Sequence, residues 1–106
     1  MSDNHIVMLC TVPDHGSGEH IALALVEEKL AACVNLVPSV VSIYRWEGKI
    51  TKAAEALLII KTSAARFEAV RTAISLLHPA KVPEVIALTI TAGSEEYIKW
   101  ITENST

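Results

Sequence analysis

Val40-Val41-Ser42-Ile43-Tyr44-Arg45-Trp46, then Glu47-Gly48-Lys49, then Leu57-Leu58-Ile59-Ile60-Lys61-Thr62: this stretch decides how the chain is read. Its branched and aromatic residues suit a pleated, half-buried surface better than a helix. The pattern predicts a long β-hairpin turning near Gly48, which takes positive φ without a Cβ clash. With its first arm starting near Ala32, the hairpin would span roughly 45–50 Å at about 3.3 Å per residue. A domain of this size has a radius of gyration of roughly 13 Å, so the arm outreaches its own globule. Its distal part carries Ile43, Tyr44 and Trp46, which favour burial against a partner. Another copy of the chain is the simplest partner.

Composition narrows the classes. A chain of 106 residues predicts one domain, with a real core but with stability that oligomer contacts would help. The apolar fraction of 51% against 20% charged residues leaves apolar surface for an interface. Net charge is −3 and the basic residues are scattered, so no stripe of Lys and Arg exists to hold nucleic acid. Apolar runs are shorter than a membrane span and are interrupted by Pro38, Ser39 and Ser42, so no membrane anchor is expected. Asp3 and His5 stand where a signal peptide would be basic, which points to the cytoplasm. The 2 cysteines fit reduced thiols or a single disulfide.

Ile6 to Val12 reads as a buried strand ended by Pro13-Asp14. Ser17 is the expected N-cap of a helix running to about Ala31, with Ala22, Leu23, Val26 and Leu30 as its apolar stripe. Ala31 to Val37 is extended, and Pro38 predicts a bulge or an edge. After the hairpin, Ser63 or Ala64 opens a second helix with Phe67, Val70, Ile74 and Leu77 on one face, and His78-Pro79 stops it. Val85 to Ile90 is a fourth strand. Gly93-Ser94 opens a last helix with Tyr97, Trp100 and Ile101 on its apolar face. The order is βαββαβ plus a C-terminal helix, an α+β, ferredoxin-like split βαβ with an antiparallel sheet and helices on one face. That fold hosts many functions and licenses none by itself.

Leu30-Ala31-Ala32-Cys33-Val34-Asn35, Tyr44-Arg45-Trp46-Glu47-Gly48-Lys49-Ile50, Ile60-Lys61-Thr62 and His78-Pro79 with Val82-Pro83-Glu84 together resemble the CutA family of divalent-cation tolerance proteins. Cys10-Thr11-Val12-Pro13-Asp14 and Tyr97-Ile98-Lys99-Trp100 extend the resemblance over nearly the whole chain. It implies a ferredoxin-like homotrimer with sheets packed around a threefold axis, a link to copper or other divalent-cation tolerance, and no catalytic activity. One position departs: Ala80 stands where the family usually has a tyrosine after His-Pro.

By resemblance, Cys10, Cys33 and His78 are the candidate metal ligands. Their chemistry suits copper, because thiolates favour Cu(I) and imidazole favours Cu(II) or zinc. If the strands carrying them are neighbours, the sulfurs of Cys10 and Cys33 could approach on one face. The competing reading makes both cysteines buried small hydrophobes and His78 a plain helix stop. Trp46, Lys61, His78 and Glu84 form a second set that a cleft between subunits could gather to hold a small anion or metabolite. The alternative there is a structural ion pair between Lys61 and Glu84. His5, His15 and His20 are expected to be solvated. No nucleophile motif, phosphate loop or paired carboxylate stands out, so an enzyme reading lacks a mechanism. Two readings of function follow: a trimeric cytoplasmic metal-binding protein of copper and divalent-cation tolerance, or a trimeric sensing module resembling PII proteins with ligands in intersubunit clefts.

Overall fold

A computed structural model describes residues 4–106, so Asp3 lies outside the described residues. The elements are β1 (His5–Val12), α1 (His15–Glu27), β2 (Cys33–Trp46), β3 (Lys49–Ser63), a 3-10 turn (Ala64–Arg66), α2 (Phe67–Leu77), β4 (Ile86–Thr89) and α3 (Glu95–Glu103). The sheet order is β2-β3-β1-β4 with every pair antiparallel, which is the ferredoxin-like split βαβ arrangement read from the sequence.

The hairpin is long. β2 and β3 stay paired from Cys33–Lys61 to Trp46–Lys49, and the molecule measures 44 Å along its longest axis against 25 and 22 Å across. Glu47 and Gly48 make the turn with positive φ at both positions, 49° and 80°. This mirror-image turn twists in the sense of the strands it joins. The register slips between Val37 and Val40, so the bulge foreseen at Pro38 is there, where a residue without an N–H costs the ladder least. β1 pairs with β3 only from Ala56 to Ser63, so Lys49 to Glu55 lack an inner neighbour.

Alternation sorts the side chains by face. Ile6, Met8, Cys10 and Val12 of β1 and Ala56, Leu58 and Ile60 of β3 are buried together with Ile21 and Leu25 of α1 and Val70 and Ile74 of α2. The α1 stripe differs from the expected one, since Gly18, Ile21 and Leu25 are buried while Leu23 and Val26 are exposed. Gly18 supplies the reason: a Cβ there would sit 3.0 Å from Leu36 Cδ1 and from Val12 Cγ2. Lacking one, this row of the helix sits close against Val12, Leu36 and Leu58 of the sheet. The N-cap is Asp14 and not Ser17, whose N–H donates to the Asp14 carboxylate at 2.8 Å. The second helix buries Val70 and Ile74 as expected. Between α1 and β2, the buried Thr62 hydroxyl donates to the Leu30 carbonyl at 2.7 Å.

α3, capped by Ser94, lies on the opposite face, so helices share one face only for α1 and α2. His5, expected to be solvated, is buried. Its Nε2 lies 2.6 Å from Thr102 Oγ1, and because that hydroxyl donates to the Ile98 carbonyl, the ring is the donor. His5 has the parity opposite to Ile6 and Met8, so α3 covers one end of the face that α1 and α2 leave open. Of its expected apolar face only Ile101 is buried, while Tyr97 and Trp100 stack with ring centroids 5.4 Å apart.

Glu47 holds a left-handed conformation that disfavours a residue with a Cβ, whereas asparagine tolerates it. Glu47→Asn is expected to raise the unfolding free energy by about 0.5–1 kcal/mol. Urea denaturation measures this, and an unchanged midpoint contradicts strain at the turn.

Candidate functional site

β3 stands between the strands that carry the two cysteines. Cys10 pairs with Leu58, while Cys33 pairs with Lys61, which faces Val7 on its other side. Leu58 and Lys61 have opposite parity, so the thiols point to opposite faces of the sheet. The same-face approach of Cys10 and Cys33 does not occur within the chain, and both thiols are free. Among the described residues, no three His, Cys, Asp or Glu side chains converge on one point.

Cys10 is buried, with Sγ 3.7 Å from the Thr11 carbonyl oxygen. Burial, then the charges of Glu84 and Glu55, push its thiol from 9.0 up to about 12. At neutral pH it is a protonated core side chain, and a metal that takes it has to displace the proton. His78 reaches the same carbonyl, with Nε2 2.7 Å from Thr11 O, while Nδ1 lies 3.0 Å from the Ala80 nitrogen. A carbonyl only accepts and a backbone N–H only donates, so the ring is the neutral Nε2–H tautomer with both nitrogens engaged. His78 is thus more than a helix stop, since it ties the loop after α2 to the end of β1. A metal at His78 would replace one of these two bonds.

Cys33 lies in a separate group. Its Sγ is 3.8 Å from Asn35 Oδ1, which also accepts from the Lys61 ammonium. Tyr97 from α3 reaches this group, and its phenol is raised above the ordinary value by desolvation and then by the Cys33 thiol.

A trough of about 630 Å³ lies between the hairpin and the 78–84 loop. Trp46, His78 and Glu84, set by the sequence reading in a cleft between subunits, line this trough within one chain, but Lys61 does not. Held on Asn35, Lys61 neither enters the cleft nor pairs with Glu84. The cation on the trough wall is Lys81, and Thr11, Tyr44 and Glu55 also line it. Sequence reasoning missed these, although one signal was present. Once the Pro38 bulge is counted, Glu55 pairs with Val40 and shares a face with Ser42, Tyr44 and Trp46. Ala80, the departure from the family pattern, also lines the trough. By parity the other hairpin face carries Val41, Ile43 and Ile50, which are 63%, 68% and 65% exposed, and Ile43 also borders the trough.

The thiol makes stability pH-dependent. In the unfolded chain Cys10 ionises near 9.0, but in the fold it keeps its proton to about 12. Its contribution is therefore complete below pH 9.0 and is lost as pH rises towards 12, where the unfolded state binds fewer protons. The slope is at most about 1.4 kcal/mol per pH unit. In urea denaturation at about pH 8 and about pH 10.5, the stability gap between wild type and Cys10→Ala should narrow at the higher pH. A constant gap contradicts a buried, protonated thiol.

A family model described as CutA1 divalent ion tolerance protein matches residues 6–104. The divalent-cation tolerance protein CutA of Thermus thermophilus is 48% identical over 99 residues, 93% of this chain and 96% of that protein. Its solved structure superposes with a TM-score of 0.94 at 46% identity, covering 96% of this chain and 99% of that one. The chloroplastic protein CutA of Arabidopsis thaliana is 48% identical over 101 residues, which are 95% of this chain and 55% of the plant protein. A structure of CutA from Archaeoglobus fulgidus, described as periplasmic, gives a TM-score of 0.93 at 37% identity and covers 96% of this chain and 99% of that one. Relatives thus carry names from more than one compartment, and no described helix here is long and apolar enough to cross a membrane. A match across nearly the full length, joined to the same fold, means that this chain belongs to the CutA1 divalent ion tolerance family.

Proposed function

We propose that the protein binds copper or another divalent cation through Cys10 and His78 and acts in cation tolerance without catalysis. The observation that carries this is the convergence of thiol and imidazole on one acceptor, the Thr11 carbonyl. Family membership supports the class of ligand. A soft thiolate beside a borderline imidazole suits copper. Binding takes a proton from Cys10 and a ring nitrogen from Thr11 or Ala80, so affinity rises with pH and the 78–84 loop shifts with the ring. Cys33, on the other face, takes no part.

The working unit is a trimer in the cytoplasm. Val41, Ile43 and Ile50 on the hairpin and Ile86 and Leu88 on the uncovered sheet face are exposed, and apolar surface of this extent favours burial against further copies. The resemblance supports three. Free thiols at Cys10 and Cys33 suit a reducing compartment. The trough favours a second reading, a PII-like sensing module that takes a small molecule beside the hairpin.

Competition titration with Cu(I) tests the metal reading. Cys10→Ser and His78→Ala should each weaken binding ~10-fold or more, Cys33→Ser should leave it unchanged, and wild-type affinity should climb with pH. Equal affinity in all four proteins overturns the site. Light scattering at micromolar concentration should give the mass of three chains, reduced by Ile43→Asp. A monomeric wild type contradicts the assembly.

A further inference from the structure

We infer that the trough between the hairpin and the 78–84 loop is a binding site for a small organic cation bearing a primary ammonium or guanidinium group. The inference develops the small-molecule reading and is independent of copper. Its volume of about 630 Å³ is in the range of small-molecule sites. Tyr44 and Trp46, two apart on β2, present rings to it from one face of the hairpin and remain 42% and 44% exposed. Ring faces of this kind attract cations through their quadrupole.

The charges on the wall point the same way. Glu55 comes from β3 and Glu84 from the loop. Neither is in an ion pair, the only one among the described residues being Arg71–Glu68. Both carboxylates line the same trough as Thr11, at the end of β1. Against them stands a single ammonium, that of the exposed Lys81. His78 adds no charge while its Nδ1 accepts the Ala80 N–H. The trough is thus net negative, and the small anion anticipated from Lys61 loses its counter-charge because Lys61 is elsewhere.

A hydrated metal dication fits less well. No third His, Cys, Asp or Glu donor converges with the two carboxylates among the described residues, and aromatic walls offer it no ligand. An alkylammonium or guanidinium uses both features, setting its charge between Glu55 and Glu84 and its carbon chain against Tyr44 and Trp46. Ala80 keeps that wall low.

Two-dimensional NMR of the protein in its native oligomeric state, with transition metals chelated, tests this. The probes are butylammonium, butylguanidinium, butyrate and magnesium. Both organic cations should shift the Trp46 indole N–H and the 78–84 amides saturably. Glu55→Gln and Glu84→Gln should each weaken that binding ~10-fold, while Lys81→Gln leaves it equal or tighter. Butyrate and magnesium should give no saturable shift. The inference is overturned if butyrate binds as well as the cations, if magnesium displaces them, if neither Glu variant weakens them, or if no probe saturates. Since Cys10 is untouched and copper is absent, failure here leaves the metal reading standing, and the reverse holds.

Discussion

β3 has 15 residues and pairs with a β1 of only 8, and the rest of the molecule follows from that mismatch. Where the two strands overlap, β3 lays Ala56, Leu58, Ile60 and Thr62 into the core beneath α1 and α2. Fully burying a Leu or Ile side chain stabilises by about 1.5–3 kcal/mol. A one-residue slip would turn Leu58 and Ile60 to the other face, so the register is held by several such terms at once. Beyond Ala56 there is no β1 to pair with and no helix above. The overhang becomes a hairpin with one apolar face uncovered and a trough under the other.

The same register decides which reactive groups meet. Counting along β3 from Leu58 to Lys61 carries the sheet from the row of Cys10 to the row of Cys33 and reverses the face. Cys10 is thereby sealed in the core near His78, Glu84 and Glu55. Cys33 is left with Asn35, Lys61 and Tyr97 on the side that α3 reaches. One thiol is held protonated by burial and nearby carboxylates, and the other sits in a polar group at the opposite surface. Two cysteines that look equivalent in the sequence therefore have different chemistry.

Local features were the legible ones. Gly48 announced the turn, Pro38 the bulge, and His78-Pro79 the end of α2, because each is a backbone constraint carried by one or two residues. Parity was harder to read. The bulge at Pro38 shifts every residue from Val40 to Trp46 by one position relative to β3, which hid the grouping of Tyr44 and Trp46 with Glu55. Strand order was inferred only at the level of the fold, so nothing local indicated that β3 parts Cys10 from Cys33. The α1 stripe was misjudged because Gly18, a residue with no side chain to mark a face, packs directly on the sheet. Lys81 sits in a loop without periodicity, and Lys61 was assigned to the cleft from its place near a strand end, which says nothing of its bond to Asn35.

Among the described residues, the register of β3 leaves Cys10 beside His78 at the Thr11 carbonyl and sets Cys33 on the opposite face. X-ray absorption spectroscopy of the copper-loaded protein reads the ligand atoms directly. The account predicts one sulfur per copper with imidazole nitrogen, a spectrum kept in Cys33→Ala and lost in Cys10→Ala. Two sulfurs per copper, both needed for binding and supplied by Cys10 and Cys33, would contradict it.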